Sequence, residues 1–165
     1  MKAINLLFLS LILSTGIIAQ SFKVPKNYKF KTEADYEKYE SDMIACADWL
    51  IKTPLNEQST KRGKAYTFLI EYVQGSPKIQ AIINAQASPY INNPHLLAIF
   101  LASWSKSCLT QNYVNNNEEF TLRATDDVIK FYLKNKNSVG KAKKIKKFIK
   151  MHKKGTLHEY VKSKL

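Results

Sequence analysis

The chain has 165 residues and a formal net charge of +13, with 45% hydrophobic and 12% aromatic side chains. This composition excludes a disordered chain, and the length suits one domain with a sizeable core. The charge is unevenly placed. Residues 21–129 hold 12 basic and 12 acidic side chains, whereas residues 130–165 hold 13 lysines and only Glu159 as an acid. We therefore expect a neutral body with a strongly basic C-terminal part, from about residue 134 to residue 165.

Arginine is scarce, because Arg62 and Arg123 are the only two in the chain. Arginine is the side chain that pairs in bidentate fashion with guanine edges and phosphates. The composition therefore argues against a sequence-specific nucleic-acid partner. Contact with nucleic acid without sequence choice, through release of counterions, is an alternative that charge alone does not exclude.

The first 19 residues have the pattern of a secretory signal peptide. Lys2 precedes a mostly apolar run, and small and polar residues follow it up to Ala19 and Gln20. We expect cleavage after Ala19 and export to the periplasm or out of the cell. The rival interpretation is an uncleaved anchor helix, but the run is near the lower limit for spanning a bilayer and is interrupted by polar residues.

After an extended lead-in over residues 20–31, the sequence predicts a single helical domain over residues 32–165. The first and second helices are predicted to begin at Thr32, which opens a capping box, and at Thr53–Pro54. A short third helix is expected from Ser76–Pro77 to Ser88. Later starts are predicted at Asn93–Pro94, at Asn115–Asn117, at Lys141 and at Thr156.

No segment shows sustained period-two alternation between hairpin turns, so strands are not expected. The sequence predicts an all-α fold, an irregular bundle of about six or seven helices. Because helix starts recur about every 20 residues, an array of α-hairpins is the alternative. The helix that begins at Pro94 is apolar nearly all round and too short to span a bilayer, so it is expected to lie at the centre of the core.

Two cysteines, Cys46 and Cys108, lie on apolar helical faces. In an exported protein such a pair suggests a disulfide. Cysteine is also a small hydrophobic residue that packs well when buried, and the sequence leaves both interpretations open.

Catalytic and cofactor motifs are few. Ser103–Lys106 matches the S-x-x-K motif of serine β-lactamases, but the companion motifs of those enzymes are missing. The three histidines are scattered, and neither a zinc-binding HExxH motif nor a glycine-rich phosphate loop is present. We therefore expect no metal, no cofactor and a function in binding rather than catalysis.

The lysine-rich segment from Lys141 to Lys154 is the strongest functional lead. It predicts an amphipathic helix with a narrow apolar stripe of Ile145, Phe148 and Ile149. Such a helix can contact an anionic membrane surface or an acidic protein. The alternative is that the stripe packs on the bundle and the lysines are only solvated. The predicted contact residues are Lys141, Lys143, Lys144, Lys146, Lys147, Lys150, Lys153 and Lys154.

Two other functions are compatible with the sequence. A small-ligand binder or enzyme would have a cleft beside the central helix, for which Tyr66, His95 and Trp104 are the candidate residues. A structural or inhibitory partner protein would instead present an exposed apolar patch.

Overall fold

The structure, a computed structural model, describes residues 22–81, 83–114, 116–142 and 144–165. The predicted signal peptide, residues 1–19, lies outside the described residues. In the described part of the chain every regular element is a helix and there is no strand, which confirms the all-α prediction. The elements in order are α1 (Glu33–Lys38), α2 (Glu40–Lys52), α3 (Ser59–Gly75), a 3₁₀ helix (Pro89–Asn92), α4 (Pro94–Thr110), α5 (Asn117–Lys134), α6 (Lys136–Val139), α7 (Ile145–Lys153) and α8 (Leu157–Lys162).

Helix α4 begins where the sequence predicts. The Asn93 side chain accepts hydrogen bonds from the backbone N–H groups of His95, at 3.0 Å, and Leu96, at 3.2 Å. Pro94 occupies the first position, where a missing N–H costs nothing. These two residues fix the start of the helix that the others surround.

The centre of the bundle is α4, as predicted. It packs against α2, α3, α5 and the 3₁₀ helix. Helix α4 thus contacts α2 and α3 as well as the 3₁₀ helix and α5, the elements that precede and follow it directly in the sequence. Its Leu96, Ile99 and Phe100 side chains are fully buried. Trp104 is also buried, and its ring lies edge-on to Phe120 of α5 with centroids 5.3 Å apart. The arrangement is a multi-helix bundle rather than a linear stack of hairpins.

The first predicted helix is divided in two at Tyr39. Its capping box is present, because the Thr32 side chain accepts from the Asp35 N–H and the Asp35 carboxylate accepts from the Thr32 N–H. Tyr39 has non-helical dihedrals and its ring packs edge-on against Phe30 and Phe68. The break therefore coincides with the place where Phe30 of the lead-in packs against the helix.

The prediction that the second helix begins at Thr53–Pro54 is wrong, because α3 begins at Ser59. The buried Arg62 guanidinium reaches back to the end of α2 and donates to the carbonyl oxygens of Thr53, at 2.8 Å, and Pro54, at 2.9 Å. A cation at the carboxyl end of a helix is favoured by the helix dipole. The Thr53 and Pro54 carbonyls thus accept from a side chain, and the Pro54 carbonyl also accepts from the Glu57 N–H of a turn at 3.1 Å.

The short third helix predicted over 76–88 is also wrong, since the described residues of this segment form loops and a turn. The Asn84 side chain accepts from the backbone N–H groups of Gln86, at 2.8 Å, and Ala87, at 3.2 Å. Such a local turn competes directly with helical hydrogen bonding. Ile83 is 44% exposed, so its side chain offers the segment little burial.

At the C-terminal end the chain turns more often than predicted. The buried Asn135 amide ends α5, because it donates to the Phe131 carbonyl at 2.8 Å and accepts from the Leu55 N–H at 2.7 Å. The sequence predicts a loop from Asn135 to Gly140, but the short α6 occupies Lys136–Val139 within it. Helix α7 is shorter than the predicted Lys141–Lys154, and it is followed by Gly155 with φ of +70°, as a glycine stop requires. The sequence Thr156–Glu159 has the form of a second capping box, but the Thr156 side chain makes no cap to α8, so that prediction is wrong.

Truncation at the centre of α4 tests the central role of this helix. We expect Phe100→Ala to lower the free energy of unfolding by about 3–5 kcal/mol, because it removes a fully buried aromatic side chain and leaves a cavity. Leu133→Ala is the matched control: that side chain is 41% exposed, and its loss should change stability by less than about 0.5 kcal/mol. Urea unfolding followed by circular dichroism measures the stability of both variants. Equal small losses of stability in the two variants would contradict the central role of α4.

Candidate functional site

The basic helix α7 is docked on the bundle by its apolar stripe. Ile145 and Phe148 are fully buried and Ile149 is partly buried against the core. The Phe148 ring lies edge-on to Tyr90, with centroids 5.4 Å apart, and to Tyr160, at 5.6 Å. The stripe is therefore not free to enter a lipid surface, and it packs on the bundle as the alternative interpretation of the sequence expected.

The lysines of this segment point away from the core. All those that the structure describes are exposed, and together they form what we call the lysine face: Lys141, Lys144, Lys146, Lys147, Lys150, Lys153 and Lys154. Lys143, which the sequence also predicts as a contact residue, lies outside the described residues. The predicted cationic surface is thus present, but it is carried by a docked helix.

Within the described chain, no carboxylate lies within 4 Å of any ammonium of the lysine face. Two acidic groups of α5 pair with other residues instead. On α5, Asp126 contacts His152 Nε2 at 2.7 Å and Lys130 at 2.5 Å, and Glu118 contacts His158 Nε2 at 2.9 Å. These contacts tie α7 and α8 to α5 while leaving the charge of the lysine face unneutralised.

One member of the lysine face is positioned by an aromatic ring. Lys147 Nζ lies 4.4 Å from the centroid of Tyr160 and donates to its hydroxyl at 3.3 Å. Lys164 Nζ lies 5.8 Å from the centroid of the same ring. A cation–π contact at an exposed site is worth about 0.5–1 kcal/mol, so it orders these ammonium groups without cancelling their charge.

Two shallow cavities adjoin the lysine face, and Lys141 and Ala142 line both of them. The first, of about 360 Å³, lies beside the 3₁₀ helix and the start of α4 and also includes Lys144. The second, of about 520 Å³, lies between α5 and the start of α7 and also includes Lys136 and Lys146. No acidic side chain lines either cavity, so both are suited to an anionic group. Lys136 is not among the contact residues that the sequence predicts, because its place beside the cavity depends on the turn at α6.

The three candidate residues for a cleft beside α4 are not brought together. The Tyr66 hydroxyl lies 3.3 Å from His95 Nδ1, and burial and the nearby Arg62 cation lower the pKa of His95. Trp104 instead lines a separate cavity of about 210 Å³ with Cys108. The Tyr66–His95 pair is thus formed, whereas Trp104 borders a cavity that neither of these two residues lines.

The candidate disulfide between Cys46 and Cys108 is not formed either, because both cysteines are free and buried. The Cys46 thiol donates to the Ala65 carbonyl at 3.6 Å, whereas the Cys108 thiol faces the Lys78 carbonyl at 3.9 Å. Burial raises the pKa of Cys46 to about 12 and also raises the pKa of Cys108. Both therefore serve as small packing residues, the alternative that the sequence left open.

The S-x-x-K match has the environment of structural residues. Ser103 donates to the Asp127 carboxylate at 2.7 Å, whereas Lys106 pairs with Asp48 at 2.8 Å on another helix. The hydroxyl and the ammonium are thus held by different carboxylates, and the motif supplies no base to the serine.

Comparison with known proteins identifies no relative. No family model, no curated protein and no solved structure matches the chain.

In the described ranges, no group of three or more histidine, cysteine, aspartate or glutamate side chains could hold a metal ion. No helix there is long and apolar enough to cross a bilayer.

Reagents that modify thiols test the assignment of the cysteines. We expect the native protein at pH 8 to react with a disulfide-exchange reagent at least about 100-fold more slowly than the unfolded protein, because raised pKa values and burial suppress the thiolate. Unfolding without a reductant should then expose two thiols per chain. Two unreactive cysteines in the unfolded, unreduced protein would instead mean that they are bonded.

Proposed function

We propose that this chain is an exported, non-enzymatic binding protein that uses the lysine face to contact an anionic surface of the cell envelope. The single observation that carries this proposal is the cluster of exposed ammonium groups with no carboxylate partner in the described chain. Mutual repulsion makes such a cluster costly, and a polyanion removes that cost. An acidic protein is the alternative partner, because it would satisfy the same charges.

The contact is expected to be electrostatic and peripheral. Because Ile145 and Phe148 are buried in the bundle, no apolar stripe of α7 is available for insertion. Each lysine near an anionic membrane contributes about 1 kcal/mol, and the contribution falls off within a Debye length, about 10 Å at 0.1 M salt. Several lysines on one surface therefore suffice for binding at low salt, and that binding must weaken as salt rises.

The adjoining cavities favour a surface that presents discrete anionic groups. Lys141 lies at the junction of both cavities, with Lys144 on one side and Lys136 and Lys146 on the other. Phosphate groups of lipid headgroups or of lipopolysaccharide are of suitable size and charge for such depressions. This arrangement distinguishes the lysine face from an evenly charged helix surface.

Vesicle co-sedimentation tests the proposed surface. We expect the exported protein to bind vesicles that contain phosphatidylglycerol at 0.1 M salt, to bind vesicles of phosphatidylcholine alone negligibly, and to be released at 0.5 M salt. The triple variant Lys146→Glu, Lys150→Glu, Lys153→Glu should bind at least about 100-fold more weakly, since three contacts of about 1 kcal/mol are lost.

A matched control separates the lysine face from net charge. The variant Lys29→Glu, Lys31→Glu, Lys38→Glu makes the same change in net charge on exposed lysines of the lead-in and α1. We expect it to retain most of the vesicle binding and both variants to retain the circular dichroism spectrum of the parent. Equal loss in the two variants, or salt-independent binding, would reject the proposal.

Export is tested separately by the N-terminus of the purified protein. We expect intact mass and terminal sequencing of protein recovered from the periplasm or the medium to place the start at Gln20, since cleavage after Ala19 fits the signal-peptide pattern. Retention of Met1 in a membrane-bound protein would favour the anchor helix instead.

A further inference from the structure

A second cavity lies away from the lysine face, between the lead-in and the first half of α3. Its volume is about 650 Å³, within the range of small-molecule sites. The lead-in contributes the apolar residues Phe22, Val24, Pro25 and Tyr28, together with Lys23 and Lys26. The opposite wall carries Thr60, Lys61, Lys64 and Thr67 of α3, so the cavity combines apolar surface with ammonium groups from both walls.

Four lysines line this cavity: Lys23, Lys26, Lys61 and Lys64. None of them has a carboxylate within 4 Å in the described chain, and no acidic side chain lines the cavity. Glu71 interacts with the Tyr28 hydroxyl at the border of this cavity. Burial and this carboxylate raise the pKa of Tyr28 to about 12, so the phenol stays neutral and the positive charge of the cavity is not offset by it.

The walls are held in place by aromatic contacts. Lys61 Nζ lies 4.5 Å from the ring centroid of Trp49 and 5.7 Å from that of Phe22, so its ammonium is fixed on an aromatic pair at the edge of the cavity. The Tyr28 ring packs edge-on against Phe68 of α3, with centroids 5.0 Å apart. These contacts make the cavity a preformed site, which lowers the cost of binding.

We propose that this cavity binds a single-chain amphiphile with an anionic head. The alkyl chain lies along Phe22, Val24 and Tyr28, where its burial removes apolar surface from water. The head lies between the ammonium groups of Lys61 and Lys64, which provide charge-assisted hydrogen bonds to a carboxylate or a phosphate. This site is separate from the lysine face and does not rest on the proposed envelope contact.

Calorimetric titration below the critical micelle concentration tests the site. The probes are dodecanoate, dodecyl phosphate, uncharged dodecyl maltoside, and inorganic phosphate without a chain. We expect saturable binding of one molecule of an anionic amphiphile per chain, and at least about tenfold weaker binding of the maltoside and of phosphate. A preference between dodecanoate and dodecyl phosphate identifies the natural head as carboxylate or phosphate.

Matched double variants locate the binding. Lys61→Glu with Lys64→Glu should weaken dodecanoate binding at least about tenfold, whereas Lys61→Arg with Lys64→Arg should preserve it. Lys146→Glu with Lys150→Glu makes the same charge change on the lysine face, and it should weaken vesicle binding and leave dodecanoate binding unchanged. Thermal melts confirm that each variant is folded.

The proposal is overturned if dodecanoate fails to bind at 1:1 stoichiometry, or if the uncharged amphiphile binds equally well. Binding that is insensitive to the Lys61 and Lys64 charge reversal overturns it as well. Because the vesicle and dodecanoate assays respond to different lysine pairs, failure of this site and failure of the envelope contact are distinguishable.

Discussion

Burial of α4 on nearly all sides is the constraint on which the rest of the structure depends. A helix that is apolar round most of its circumference must be covered, and α2, α3, α5 and the 3₁₀ helix provide that cover. Full burial of a large apolar side chain is worth about 1.5–3 kcal/mol, and α4 contributes several of them. The polar start of the helix at Asn93 then sets where the chain enters the core and where the neighbouring cavity lies.

The same apolar packing explains how many lysines are kept close together. Phe148, Leu157 and Val161 are buried, so α7 and α8 are held on the bundle by their inner sides. The two histidine–carboxylate contacts with α5 add directional attachment at the rim. Apart from the contact of Lys147 with Tyr160 of α8, the ammonium groups of the lysine face take no part in these interactions, and their charge remains free for a partner. This separation of a docked apolar side from an unpaired cationic side is the physical basis of the proposed function.

Periodicity and capping residues predict the central helices well, because their signals are local. Asn93 and Asn116 cap α4 and α5, and Thr32 caps α1, as expected from the sequence. The failures arise where a side chain makes a contact that spacing cannot show. Asn84 forms a turn where a helix was predicted. Arg62 donates to backbone carbonyl groups at the end of α2, and α3 begins later in the sequence than predicted.

The sites are only partly predictable for the same reason. The lysine face comes from one lysine-rich segment of the sequence, so its residues can be identified from the sequence alone. Whether the apolar stripe of that segment is buried or exposed depends on tertiary packing. The cavity beneath the lead-in brings Phe22 and Val24 together with Lys61 and Lys64, which are about 40 residues apart in sequence. No sequence motif predicts such a site. Likewise, Tyr66 and His95 do meet, whereas Trp104 lies elsewhere.

Mapping of the surface that meets an anionic bilayer tests the central claim most directly. Amide chemical shifts of the protein, followed during titration with small bicelles that contain phosphatidylglycerol, locate that surface residue by residue. The account predicts that the largest changes fall on α7 and the preceding loop from residue 140, and that they vanish at high salt. Changes centred on another part of the bundle, or none in α7, would contradict it.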